Sequence, residues 1–195
     1  MISTESVSSG QLSRDVIQTK AETIGSKLGS YFTPPSLSVV IAAASLSKHG
    51  YLTRVERMKL VNINLASVPH AACLGDIQVD DRVLIDNVPG DIGSILGKIK
   101  CSRLYVDNMQ LSVGATQALV TGMIAGVDTV RLGYNGSVEV DMETLASYDC
   151  RGKCSYVSCS KQTGERYGAE VRRWAGRIGW EVESDDDNGI EIERR

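Results

Sequence analysis

Apolar residues along this chain change rhythm near residue 54. Before it, Leu12, Val16, Ile17, Ile24, Leu28 and Phe32 recur at spacings that place them on one helix face, and Pro34-Pro35 ends the pattern. Ser36 is then placed to cap a second helix over Leu37 to Lys48, with Gly50 as its stop. Its apolar run, LSVVIAAASL, is about half the length a membrane span needs, which predicts a buried helix. After residue 54 a short strand-like segment returns: Met58-Lys59-Leu60-Val61-Asn62, Val83-Leu84-Ile85-Asp86-Asn87, Leu104-Tyr105-Val106-Asp107-Asn108 and, more loosely, Val130 to Asn135. Each is apolar-x-apolar with an Asn two or three residues on. Tyr156 to Cys159 and Trp180 to Glu183 keep the spacing and lack the Asn.

The second apolar positions, Leu60, Ile85, Val106 and Leu132, are separated by 25, 21 and 26 residues, and Val157 and Val182 follow at 25 each. Periods of this size belong to leucine-rich repeats. The intervals are helical in character. Asp91 to Ile99 has room for a turn or two, Ser112 caps a helix reaching Ala125, Asp141 caps Met142 to Tyr148, and Glu165 to Ile178 carries Tyr167, Val171, Trp174 and Ile178 on one face. A strand followed by a helix, repeated, demands parallel strands joined by crossovers, and no single unit can bury its apolar side alone. The expectation is an α/β, short leucine-rich-repeat-like solenoid: a flexible stretch over 1–10, a helical cap over 11–50 and a repeat domain over 51–195. Its six parallel strands line a concave face, with the helices outside. A recurring Asn where each strand ends can donate and accept across units, forming a ladder. Asn188-Gly189, between WEVE and IEIE, predicts a C-terminal hairpin over the open edge of the sheet.

The pieces LTRVERMKLVNINL, KCSRLYVDNMQLSVGATQALVTGM, LASYDCRGKCSYV and RYGAEVRRWAGRIGWEVE together resemble the divergent leucine-rich-repeat tails of invertebrate NACHT or death-fold receptor-like (NOD-like receptor) proteins, over roughly residues 50–195. The resemblance implies ligand sensing or protein binding, often in innate immunity. The phosphate-binding GxxxxGK[ST] of a nucleotide-binding module does not occur in this sequence.

Composition narrows the function classes. With 195 residues and a net charge of −3, the chain is long enough for a core and is not generally basic, which argues against nucleic acid or a membrane surface as partner. One Phe and 5% aromatics argue against a base-stacking platform or an aromatic cofactor pocket, so no cofactor is expected. The first ten residues hold Glu5 and no apolar stretch, so they do not read as a secretory signal. Five cysteines, an odd number without a dense framework, suit reduced thiols, and the expected compartment is the cytoplasm. Asn135-Gly136-Ser137 matches a glycosylation acceptor, which has no meaning without secretion.

Candidate sites follow from the alternation of side chains along a strand. Residues between the two apolar positions face the concave surface: Lys59, Leu84, Tyr105, Arg131, Ser158 and Glu181, with Val61, Asp86, Asp107 and Gly133 further along. From these the expected partner-binding residues are Lys59, Asp86, Tyr105, Asp107, Arg131, Ser158 and Glu181, with Tyr105 and Arg131 of the types that dominate interfaces. The competing expectation is simple cross-strand pairing among the charged members. Cys150, Cys154 and Cys159 lack a CxxC knuckle and a nearby histidine, so a zinc site is not expected. The acidic run from Asp185 does not fit a calcium loop, because Ile190 occupies the glycine position. No GxSxG, HExxH or GxGxxG is present, and Gly90, Gly93 and Gly97 read as a small-residue turn that lets neighbouring units approach. Arg166, Arg172, Arg173 and Arg177, interspersed with Glu165 and Glu170, read as a solvated outer helix face. The expected function is therefore non-catalytic binding of a protein partner. The alternatives are a small α/β enzyme and a structural module that self-associates through the N-terminal helix.

Overall fold

A computed structural model describes residues 14–149, 152–186 and 189–194 of the chain. The stretch 1–10, expected to be flexible, lies outside the described residues, as do Leu12 and Cys150. Two helices come first, α1 (Arg14–Leu28) and α2 (Leu37–Lys48), and α1 packs on both α2 and the first strand. The helix over 37–48 has the expected bounds, although the Ser36 side chain makes no capping bond and meets the Ser38 hydroxyl instead. Helix α1 ends at Leu28, earlier than the prolines alone demand. Gly29 lies against the Arg57 carbonyl, and Phe32 is left outside the helix, 91% exposed.

The body of the protein is α/β, with a mostly parallel seven-stranded sheet. Strands β1 (Arg54–Val61), β2 (Gln78–Asp86), β3 (Cys101–Asp107), β5 (Val127–Leu132) and β7 (Tyr156–Ser160) lie side by side in chain order, all parallel. The hairpin of β8 (Glu181–Asp186) and β9 (Gly189–Glu193) completes the sheet in the order β1-β2-β3-β5-β7-β9-β8, its strands antiparallel. A second, two-stranded sheet pairs β4 (Met109–Gln110) with β6 (Val138–Glu139).

Two rows of apolar side chains run across the strands on the inner face. Met58, Val83, Leu104, Val130, Val157 and Ile192 form one, and Leu60, Ile85, Val106, Leu132, Cys159 and Ile190 the other, all at most 3% exposed. The connecting segments stack against this face. A 3₁₀ segment over Ala71–Asp76 packs on α2 and on α3 (Gly93–Leu96), α3 packs on α4 (Val113–Ala125), and α4 on α5 (Met142–Leu145). The last helix, α6 (Lys161–Ile178), packs on β7, β8 and β9. Two expected caps form: Ser112 Oγ accepts from the Ala115 amide at 3.2 Å, and Asp141 Oδ1 from the Thr144 amide at 2.8 Å. At the C-terminal end Tyr148, Trp174 and Trp180 cluster in the core, with Trp174 Nε1 donating to the Tyr148 carbonyl at 3.1 Å.

The strands leave the sheet through a left-handed turn. Asn62, Asn87 and Asn108 hold φ of 55°, 49° and 49°, a conformation that Asn tolerates better than other side-chain-bearing residues. Backbone pairing continues through this turn, Asn62 N to Asp86 O at 3.0 Å and Asn87 N to Asp107 O at 3.1 Å. The amide ladder spans the first two units, where Asn87 Nδ2 donates to Asn62 Oδ1 at 2.7 Å. In the third, Asn108 Nδ2 turns to Asp86 Oδ1 at 2.9 Å.

Four expectations need correction. Asn135 is not the fourth rung: the chain turns earlier, at Gly133 (φ 78°), where a Cβ would lie 2.5 to 2.7 Å from Gly136 O, Ser160 Oγ and Thr163 Oγ1. The β7 residue level with Leu132 is Cys159 and not Val157. Trp180 to Glu183 does not continue the parallel series, because β9 takes the place beside β7 and leaves β8 at the edge, so the parallel strands of the seven-stranded sheet number five. A hairpin can do this where a crossover cannot, since its turn reverses the chain within a few residues. The expected small-residue turn makes its close approach at Gly90 (φ 112°), where a Cβ would lie 3.0 Å from Leu65 Cβ, and not at Gly97, where a Cβ would find ordinary room. A tighter approach between outer segments occurs at Gly122, whose Cβ would lie 2.5 Å from the Leu96 carbonyl oxygen.

Gly133 and Gly50 share a left-handed φ, and at Gly50 a Cβ would meet nothing within 4 Å. Gly50→Ala is expected to cost roughly 1 to 2 kcal/mol and Gly133→Ala about 2 to 4 kcal/mol, the excess coming from overlap with fixed backbone. Urea midpoints of the two variants measure the difference, and equal midpoints would contradict the packing around Gly133.

Candidate functional site

Period-two alternation sends every residue between the apolar rows to the opposite, open face of the sheet. One row there reads Lys59, Leu84, Tyr105, Arg131, Ser158, with Glu191 of β9 at its end. A second, two residues back along each parallel strand and two residues on along antiparallel β9, reads Arg57, Arg82, Arg103, Thr129, Tyr156 and Glu193. Most of these side chains are half-buried or exposed.

The expected contact residues are thus brought partly together. Lys59, Tyr105, Arg131 and Ser158 share one row, and Asp86 and Asp107 are level with each other in the next. Glu181 is not level with Ser158: it pairs with Glu193 on the far side of β9, and Glu191 occupies the position expected for it. Tyr105 is only 9% exposed and Asp107 is fully buried, so neither presents its side chain freely at the surface.

Arg131 lies among three tyrosine rings, 5.8 Å from the centres of Tyr105 and Tyr134 and 5.6 Å from Tyr156. Its guanidinium is therefore held by cation–π contacts in place of the expected cross-strand pairing, and its buried Nε has no hydrogen-bond partner. Tyr105 and Tyr134 meet edge to face at 5.4 Å. Burial, and then a hydrogen bond to Glu191, push the Tyr156 phenol well above its ordinary range.

Asp107 fastens the loop that carries Tyr134. Its Oδ1 accepts from the Asn135 amide at 3.0 Å, while its Oδ2 is buried without a partner. Burial raises its carboxyl above the ordinary value, opposed by the Asn135 amide and reinforced by Asp86.

Toward β1 the face is cationic. Asp81 receives Arg57 at 3.0 Å, Arg82 at 3.6 Å and Arg103, and the Arg103 hydrogen bond is the main cause that holds its carboxyl below the ordinary value. Tyr31, from the α1–α2 connection, lies over this group with its ring centre 5.9 Å from Arg57, 5.4 Å from Lys59 and 5.2 Å from Arg82. The Lys59 ammonium donates to the Tyr31 carbonyl. Burial first, then Arg82 and Arg57, depress the Lys59 pKa. Between Tyr31 and Tyr134 a cavity of about 270 Å³ opens over Lys59, Leu84 and Tyr105.

Sequence reasoning missed Arg57, Arg82 and Arg103, although they repeat at the same steps as the apolar positions and were legible by alternation. Tyr31 and Tyr134 come from connections, and no periodicity marks them.

Other candidates lead elsewhere. Burial pushes the Cys101, Cys154 and Cys159 thiols up to about 12, which keeps them protonated and poorly nucleophilic at neutral pH. Among the described residues no three His, Cys, Asp or Glu side chains are grouped to hold a metal ion. On α6, Arg166 pairs with Glu139, Arg173 with Glu170, and Arg177 donates to the Ala146 carbonyl. Among the described residues no helix is long and apolar enough to cross a membrane. A scan against protein-family models finds no match to the chain, and a search of curated proteins finds none either.

Asp107→Asn keeps the oxygen that accepts from Asn135 and removes the buried charge. The folded state of the native chain binds this proton more tightly than the unfolded state, so its stability falls as pH rises from about 4 through the raised pKa. Denaturation across pH is therefore expected to show Asp107→Asn gaining on the native chain toward neutrality, with the gap closing at acid pH. A gap independent of pH would contradict this assignment. In the folded protein iodoacetamide is expected to modify half-buried Cys73 well before Cys101, Cys154 or Cys159. Peptide mapping by mass spectrometry checks the order.

Proposed function

We propose that this protein is a non-catalytic interaction module that binds a protein partner through the open face of its sheet. One observation carries the reading: a single sheet has an inner face of continuous apolar rows and an open face of arginine, tyrosine and lysine rows that keep access to solvent. Arginine and tyrosine are enriched where proteins bind one another, and their large side chains on fixed strands lose little freedom on docking.

The finer architecture belongs to the same proposal. Parallel strands in chain order, with connecting segments stacked in that order behind them, support the reading of a short leucine-rich-repeat-like arc with an N-terminal helical cap and a concave binding face. On this reading the chain is akin to the repeat tails of NOD-like receptor proteins that its sequence resembles, acts in the cytoplasm, and serves innate immune recognition. No chemistry is required of it.

The test compares baits in affinity capture from native cytosol. Thr129→Arg plus Ser158→Arg places bulk and charge at the centre of the open face, while Arg173→Glu alters the outer face of α6. A partner lost with the first and kept with the second is expected. Loss with the α6 variant alone, or retention with both, overturns the open-face reading.

A further inference from the structure

We propose that the cavity between Tyr31 and Tyr134 receives the carboxylates of an acidic peptide segment on the partner protein. This rests on the open face being a docking surface and specifies what docks there.

The cavity is lined by Arg57, Lys59 and Arg82 and by no acidic side chain. These cations are crowded: all three lie within 6 Å of the Tyr31 ring centre. Internal neutralisation is incomplete. Asp81 is shared among Arg57, Arg82 and Arg103, the second carboxylate on Arg57 is the exposed Glu56, and the hydrogen bond from Lys59 goes to a backbone carbonyl. The depressed Lys59 pKa is the energetic trace of this crowding after burial, and an incoming anion relieves it. Carboxylates suit the donors, since guanidinium groups bind them through paired, charge-assisted hydrogen bonds.

The rest of the face favours a peptide over a uniform polyanion. Glu191 and Glu193 of β9 lie three strands beyond β3 and four beyond β2, roughly 15 to 20 Å away at ordinary strand spacing, and repel a continuous run of phosphates laid across the strands. A peptide can be acidic over the cavity and neutral or basic beyond it. Next to the lining residue Tyr31, Phe32 is 91% exposed and meets its ring edge to face at 5.1 Å, offering an apolar anchor. The ligand chemistry is thus a short acidic stretch flanked by an apolar residue.

The full chain is titrated at physiological salt with a blocked Leu-Glu-Glu-Glu-Glu peptide, its glutamine counterpart and a short single-stranded oligonucleotide. The glutamate peptide is expected to bind at least about tenfold more tightly than either. Lys59→Gln plus Arg82→Gln, shown folded by circular dichroism, is expected to weaken it by about tenfold or more, and the charge-conserving Lys59→Arg plus Arg82→Lys to keep most of the affinity. Equal binding of the glutamine peptide, an oligonucleotide as tight as the glutamate peptide, or undiminished binding by the folded double variant each overturns the proposal. The two readings separate in the capture experiment. A partner lost with Thr129→Arg plus Ser158→Arg but kept with Lys59→Gln plus Arg82→Gln sinks the acidic-peptide cavity and leaves the docking face standing. A partner kept by both removes the docking face itself.

Discussion

Two apolar rows buried in register across the strands are the constraint on which the rest of the structure depends. Fully burying a Val, Leu or Ile is worth about 2 kcal/mol of transfer free energy, so a one-residue slip of any strand would expose its apolar set and bury charged neighbours. The registers of Met58 with Val83 and Leu104, and of Leu60 with Ile85 and Val106, are therefore strongly specified. Everything on the open face inherits its position from them. Lys59 lies level with Leu84 and Tyr105 because Leu60 lies level with Ile85 and Val106.

The strand exits serve the same register. A left-handed residue ends each of the first three parallel strands at a common level, and Asn meets this need while its amide bonds sideways to the neighbouring unit. At the fourth the turn moves to Gly133, where surrounding oxygens leave no room for a Cβ, and the connection that follows carries Tyr134 back over the sheet. The change of turn residue and the tyrosine cluster around Arg131 are thus parts of one local rearrangement, fastened by Asp107 through the Asn135 amide.

Charge is distributed unevenly over the open face. Arginines and a lysine gather over β1 to β3 around one shared carboxylate, while glutamates lie on β9. A net charge of −3 conceals this, because opposite charges at the two ends cancel in the total. Weak overall acidity therefore says little about what the basic end of the face attracts.

Periodicity along the chain by itself determined the inner face. Alternation within each strand and recurrence at 21 to 26 residues identified Leu60, Ile85, Val106 and Leu132 as one row, and the bounds of α2 and the caps at Ser112 and Asp141 followed from local backbone needs. The same rhythm placed Lys59, Tyr105, Arg131 and Ser158 together, since facing is a property of the strand repeat. Only the tertiary structure decided the rest. Whether the last strand continues the parallel series or folds back depends on which strand pairs with β7, and WEVE and IEIE have the same local pattern. Tyr31 and Tyr134 reach the face along irregular connections whose paths are set by packing against β1 and by the Asp107 carboxylate. The burial of Tyr105 and Asp107 follows from those paths, because side chains at exposed strand positions are covered or left open by whatever segment crosses above them.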